Sequence, residues 1–480
     1  MKKNDWIVLG VTGVYSYLFY QESIGLNLSI FTLLLIIMAI VKDKKLLKNR
    51  NWLLVSLLSL VASISLAYYG NSLSIIALIF SLLILTGMSI STKSSIIVAC
   101  FNGFYSWLIS GITDLRKLET RLTSDKNKIP CLKRIILIGV PIGIALLFFG
   151  LYRVSNPIFE ELTNKINLEW ISIYWIFFTL IGSWLTYGFF YAKFVEEIKA
   201  FDEPDSMTIQ NISQKEWTLW GKSIGIIDEK FSAKVLFILL NLLILIVNLG
   251  DLNFMFFDQE LPENVTYAAF LHQGVGTLIF SILVSVAIVL FYFRGEMNYI
   301  EENKIIKVLA YVWLIQNLFL LVSVGFKNFQ YIDIYGLTHK RIGVYIYTLL
   351  TFIGLISTIL KIYLIRKNLF LFRLNGWSFY LVLISASLVN WDQLIVNNNQ
   401  SLKKEIDIHY LLSLSDTTLP SLINIEKNIT NEKIREIYRK ELLQKINKFR
   451  DKQEEKNWKS WSYLHENIEN KLNYCQFAAE

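Results

Sequence analysis

Between Trp6 and Trp391 run eleven long apolar stretches, and no Asp, Glu, Lys, Arg or His falls inside the apolar body of any of them. A helix needs roughly 20 apolar residues to cross a hydrocarbon layer about 30 Å thick, and it satisfies its own backbone groups where water cannot. The chain therefore reads as all-α, a polytopic transmembrane helix bundle of about eleven spans with a helical tail. The stretches are 6–20, 24–41, 52–69, 73–90, 135–152, 170–192, 235–250, 273–293, 308–326, 342–360 and 376–391. A hydrophobic content of 54% and a mean hydropathy of +0.44 exceed what a water-soluble chain of this length needs.

Lysine and arginine in short loops are retained on the cytoplasmic side. With Met1 inside, the inside segments hold 28 basic residues and the outside ones only five: Arg153, Lys165, Lys327, Lys340 and Arg341. This distribution predicts a bacterial-type inner-membrane topology with a cytoplasmic N-terminus and an extracytoplasmic C-terminus. The other 14 basic residues lie in the tail, too long a segment for its charge to set orientation.

Residues 95–113 test that topology, because a twelfth span there would invert everything after it. Ile97, Phe101, Phe104, Leu108 and Ile112 fall on one side at helical spacing, and Ser95, Asn102, Ser106, Ser110 and Thr113 on the other. The pattern predicts an amphipathic helix lying in the inner interface. A short polar span packed against its neighbours is the alternative. Four regions follow: 1–112 with four spans and the interfacial helix, a charged cytoplasmic connection over 113–134, a seven-span core over 135–396, and an extracytoplasmic helical tail over 397–480.

A net charge of +8 raises nucleic acid as a partner, but the positive charge sits in loops beside spans. Anionic membrane lipid is the simpler partner, with envelope or cytoplasmic proteins as further candidates and no nucleic acid expected. Lys2 and Lys3 before an apolar run resemble a signal peptide, yet no small-residue cleavage site precedes Gln21, so the segment is expected to stay as the first span. Cys100, Cys131 and Cys475 fall on different sides and predict no disulfide framework.

The tail carries helical stripes. Ile434, Ile437, Leu442, Ile446 and Phe449 are available for one face, and Trp458, Trp461, Leu464, Ile468 and Leu472 recur at spacings of three and four. These pack a small domain or, alternatively, dock the tryptophans on the outer membrane surface. No internal repeat is evident, so the inverted symmetry of many transporters lacks support.

Motifs with known mechanics are absent. The WGKS run at Trp220–Ser223 lacks the leading glycine of a phosphate loop, since Glu216 stands there, and no zinc or serine-hydrolase signature occurs. No catalytic residue, metal site or cofactor is assigned. Two constellations remain. Asn241 and Asn248 lie one heptad apart in the seventh span, and Gln316 and Asn317 near the middle of the ninth. Their amides are expected to seek one another as interhelical glue, with a substrate-lining role as the alternative. At the outer face Asp251, Asp258 and His272 approach Tyr335, His339 and Arg341 in sequence order, followed by Asn390 and Asp392. Carboxylates beside histidine can bind a metal or move protons; solvated loop charges or interfacial ion pairs are the plainer reading.

Several pieces resemble a known family: WGKSIGIIDEKFSAKVLFILLNLL from Trp220, LHQGVGTLIF from Leu271, YGLTHKRIGVY from Tyr335, NWDQLI from Asn390 and YLLSLSDTTLP from Tyr410. They are similar to an uncharacterised family of bacterial polytopic inner-membrane proteins, common in the Bacteroidetes and catalogued as a domain of unknown function. The resemblance covers roughly half the chain and departs at Gln273, near which many relatives carry an arginine. It implies a bacterial inner-membrane address and no known activity. Ionisable residues inside spans mark proton relays and pumps, and their absence argues against proton coupling. The expected function is a non-enzymatic sensory or envelope-associated scaffold. A transporter or facilitator of a small molecule or lipid is the alternative, and an outer-face envelope-modifying enzyme ranks below both.

Overall fold

The computed structural model describes residues 3–123 apart from Thr92, 157–164, 173–195, 217–219, 222–257, 267–293, 303–401, 407–429 and 431–474, with single positions in 138–156 and at 198 and 202. The first helices are α1 (Lys3–Phe19), α2 (Leu26–Lys42), α3 (Arg50–Tyr69), α4 (Ser72–Ile90), α5 (Ile96–Thr123), α6 (Pro157–Asn164) and α7 (Ile173–Phe190). A hairpin of β1 (Trp217–Leu219) and β2 (Lys222–Ile224) leads into α8 (Ile226–Phe256), so the lysine and serine of the WGKS run lie in a strand. Then come α9 (Tyr267–Tyr292), α10 (Lys304–Tyr335), α11 (His339–Tyr363) and α12 (Asn368–Ser387). The chain continues with α13 (Trp391–Ser401), α14 (Ile408–Ser413), α15 (Leu419–Asn428), α16 (Glu432–Glu454) and α17 (Tyr463–Tyr474).

Seven of the described helices are long and apolar enough to cross a membrane: α3, α4, the Ile96–Asp114 part of α5, α8, α10, α11 and α12. Four shorter apolar helices, in α1, α2, α7 and α9, accompany them. The chain is thus a multi-pass membrane protein. Its outward faces carry the greasy residues that such a protein turns to lipid: Leu239, Leu242, Leu243 and Ile246 of α8 are all exposed. The stretch expected over 135–152 falls largely outside the described residues, and of the connection expected over 113–134 the part to Thr123 continues α5 while 124–134 lies outside them.

Three large apolar cores organise the described residues. The first joins α1–α4, the start of α5 and the end of α7, and α12 closes it with Tyr380 and Ile384. A second joins α8 to α11 around Phe237, Trp313 and Leu355. The third ties α13–α17 to the ends of α10 and α11 through Ile332, Leu337 and Ile342. Where lipid tails are as apolar as leucine, helices associate through small residues and interhelical hydrogen bonds. Ser81 Oγ accordingly lies 2.8 Å from the Tyr380 hydroxyl, and Ser65 donates to the Ser387 carbonyl at 2.5 Å.

The helix over 96–112 exists, but its polar face is not turned to water. Asn102, Ser106 and Ser110 are buried, whereas Ile97, Phe101, Phe104, Leu108 and Ile112 are exposed. The reason is close backbone packing. A Cβ on Gly87 would strike the Ala99 carbonyl and one on Gly103 the Leu83 carbonyl, so α4 and α5 touch main chain to main chain, antiparallel. On the other side Gly188 backs onto Trp107, and Ser106 Oγ donates to the Lys193 carbonyl at 3.0 Å. The polar stripe serves α4 and α7, the arrangement of the packed polar helix weighed as the alternative. Helix α7 runs back beside α5, and the chain just after it sets Tyr191 on Asp5 of α1, so it returns to the side where α1 begins and the order of sides after α7 is not inverted.

Helix ends shift as well. The eighth helix runs to Phe256 and α10 to Tyr335, so Asp251 and Lys327 are helical residues and not loop charges. Charge at those positions does not stop a helix when the two groups neutralise each other. In the tail, Tyr438, Leu442, Ile446 and Phe449 form the buried stripe of α16, while Ile434 and Ile437 stay exposed beside a pocket shared with Ile408 and His409. Leu464, Ile468 and Leu472 pack inward, and Trp458 remains on the surface.

Candidate functional site

At one end of the bundle, the turn between α10 and α11 is clamped by α13. Asn399 accepts from the Leu337 N–H at 2.5 Å and donates to the Leu337 carbonyl at 3.0 Å. The turn needs glycine: Gly336 has φ 82° and ψ 175°, a conformation open in practice only to glycine. A Cβ there would also meet Asn399 Oδ1 at 2.8 Å.

This clamp presents His339 as the first residue of α11. His339 Nε2 lies 2.7 Å from Asp392 Oδ1 on α13, and its Nδ1 lies 3.3 Å from the Tyr410 hydroxyl on α14. The same hydroxyl accepts from the His339 backbone N–H at 3.1 Å. Burial pushes the Tyr410 phenol above its ordinary range, opposed by that N–H and reinforced by the Asp392 carboxylate. The imidazole lies between a carboxylate and a phenol, so the arrangement links three helices.

Arg341 is fixed by three groups. Its Nη1 donates to the Tyr335 carbonyl at 2.9 Å and to the Gly336 carbonyl, and its guanidinium stacks 4.1 Å from the Tyr331 ring centre. Asn328 donates to the Arg341 carbonyl at 3.1 Å, joining α10 to α11. Around these groups opens a cavity of about 610 Å³, with His339, Lys340, Arg341 and Tyr410 at one end and Gly276, Ile279 and Val344 at the other.

The expected outer-face residues are thus partly assembled. Tyr335, His339, Arg341 and Asp392 come together, and Asn390 lies alongside, accepting from the Gln393 N–H at 3.2 Å and from the Thr417 hydroxyl at 3.4 Å. Asp251 is elsewhere: it takes Lys327 Nζ at 2.6 Å and the Ser323 hydroxyl at 2.5 Å. Asp258 lies outside the described residues, and His272 is on α9 with its side chain undescribed. Nothing in the sequence pattern gives Tyr410, Asn399 or Asn328 a role; their places follow from the contacts of α10, α11, α13 and α14. Among the described residues no three His, Cys, Asp or Glu gather as metal ligands.

The polar amides meet where helices α8 and α10 cross. Gln316 Nε2 donates to Asn241 Oδ1 at 2.7 Å, Asn241 donates to the Leu309 carbonyl at 3.0 Å, and Asn248 to the Gln316 carbonyl at 3.1 Å. Asn317 turns away, donating to the Trp313 carbonyl of its own helix at 2.8 Å. It borders an apolar cavity of about 440 Å³ lined by Leu240, Leu243, Phe280, Trp313 and Leu320.

Residues 6–425 match a family model described as Domain of unknown function (DUF4153), a longer match than the pieces from Trp220 onward. No curated protein and no solved structure matches the chain.

Proposed function

We propose a role from one premise, that the chain belongs to the DUF4153 family and is a multi-pass membrane protein: it is a non-enzymatic, envelope-associated scaffold of a bacterial inner membrane. The observation that carries this is the grip of the C-terminal helices on both halves of the bundle. On the N-terminal half, the Leu26 N–H donates to the Trp461 carbonyl at 3.0 Å, and a Cβ on Gly25 would meet the Ser460 carbonyl carbon at 2.6 Å. Glu22 accepts from Asn457 at 2.5 Å and from Lys459 at 3.2 Å. On the C-terminal half, Asn399 and Asp392 hold Leu337 and His339. A cap fixed to two groups of spans makes their relative position depend on whatever the cap binds.

The loops that meet the cap, 20–25, 70–71 and 336–338, contain no Lys or Arg, while 42–50 at the other end contains five. That asymmetry supports a cytoplasmic N-terminus and an extracytoplasmic cap. Transport is less favoured, because Gln316 is bonded to Asn241 and the neighbouring cavity is apolar. The test is complementation of a strain lacking the gene. Gly25→Trp, which forces the cap off α2, is expected to insert normally and to lose function as fully as the deletion, while Gln316→Leu retains it. Full function with the cap displaced overturns the scaffold. A periplasm-dependent reporter fused after Glu480 is expected to be active; activity only of a cytosolic reporter overturns the orientation.

A further inference from the structure

We propose that the cavity between α9, α10, α11 and α14 binds an anionic, phosphate-bearing lipid, its headgroup at Lys340 and Arg341 and an acyl chain against Ile279 and Val344. Three observations converge there. The first is charge. Lys340 is exposed and has no hydrogen-bond or ion-pair partner among the described residues. Arg341 commits Nη1 to two backbone carbonyls and a face to Tyr331, which aims the guanidinium while Nε and Nη2 take no described partner. A guanidinium held in this way suits a phosphate oxygen better than a mobile ammonium alone.

Backbone polarity is the second. The cavity mouth is the N-terminus of α11, a helix of 25 residues whose N-cap Thr338 makes no side-chain cap. Its first intrahelical bond runs from Ile342 to the Thr338 carbonyl, so the N–H groups of Lys340 and Arg341 have no intrahelical acceptor. Free amides at a helix start favour an anion. Asp392 is not among the described lining residues and lies against His339.

The third is the division of the cavity along the helix axes. Thr338, His339, Lys340 and Arg341 lie at the start of α11, Tyr410 on α14 and Asn328 and Tyr331 on α10, while the apolar Gly276, Ile279 and Val344 lie further along α9 and α11. A volume of about 610 Å³ exceeds what an inorganic phosphate fills and falls in the range of sites for larger ligands. A cationic mouth above an apolar floor matches an amphiphile with one net negative charge, and the described lining residues offer no carboxylate to a zwitterion's ammonium.

The experiment is thermal unfolding of the full chain in a phosphate-free neutral detergent. Titrants are dihexanoyl phosphatidylglycerol, dihexanoyl phosphatidylcholine and inorganic phosphate. The phosphatidylglycerol is expected to raise the melting temperature saturably, and the other two to do so at least about tenfold more weakly in concentration. Lys340→Glu, a surface change, and Val344→Trp, which fills the apolar end, are each expected to melt like the parent without lipid and to lose the shift. Lys340→Ala replaces the first variant should reversed charge destabilise the chain. An equal shift with inorganic phosphate overturns the lipid in favour of a simple anion site. Equal shifts with both lipids, an unchanged shift in the Lys340 variants, or no shift at all overturn the proposal outright.

Discussion

Lys327 Nζ lies 2.6 Å from Asp251 Oδ1 between α10 and α8, and the two side chains are only 6% and 13% exposed. Ser323 completes the carboxylate's partners at 2.5 Å. Removing one member of such a pair leaves a charge without its counter-ion in a medium that solvates it poorly.

Asp251→Leu is therefore expected to destabilise the protein by about 3–5 kcal/mol. The double replacement Asp251→Leu with Lys327→Met is expected to recover most of that loss, because no charge is then stranded. Unfolding of the parent, both single variants and the double variant in detergent gives the coupling directly. Additive losses would show that the pair does not act as a unit.

The contact of α4 with α5 depends on the absence of side chains at Gly87 and Gly103. Gly103→Val is expected to lower stability by about 1–3 kcal/mol or more, since a backbone carbonyl cannot rotate away as a side chain can. Gly10→Ala, where nothing lies within 4 Å of the added carbon, is the matched control and should change melting little. Similar losses for both would disprove close packing as the cause.

His465 in α17 sits 2.6 Å from Ser462 Oγ, and its pKa falls to about 4, chiefly through burial and then through the charges of Lys456 and Lys452, against the opposing Asp416. The undocked state gains a proton near the ordinary value of 6.5, and the docked state only near 4. Stability of the cap is thus complete above about pH 7 and is lost as pH falls from 6.5 towards 4, by an amount on the order of 3 kcal/mol. Glu22 acts lower. Burial raises its pKa, but the bonds from Asn457, Lys459 and Ser460 outweigh burial and hold it below 4.5, so its contribution is lost only below that value. Protection factors of α16 and α17, with exchange corrected for its intrinsic pH dependence, should fall as pH drops across this range in the parent and change less between pH 6.5 and 4.5 in His465→Gln. Identical profiles would exclude the histidine.

Gln316→Leu removes one amide bond between α8 and α10 and is expected to lower stability by only about 0.6–2 kcal/mol. Melting in detergent reads the loss, and complementation reads function. A normally folded variant without function would assign Gln316 more than packing.

Apolar run lengths and the placement of Lys and Arg determined by themselves that this chain is a helical membrane protein, and the paired amides of Asn241 and Gln316 were legible because an amide in hydrocarbon must find a partner. The stripe over 96–112 was legible as a helix, but its periodicity states only that two faces differ. Which medium each face meets was decided by α4 and α7, whose glycines let backbone approach the serine side. Likewise Asp251 beside Lys327, and Asp392 and Tyr410 on His339, join residues from 53 to 76 positions apart. Hydropathy records a residue's cost in lipid and not the neighbour that offsets it, so only the folded chain decided which charges pair and which stand at the mouth of the cavity.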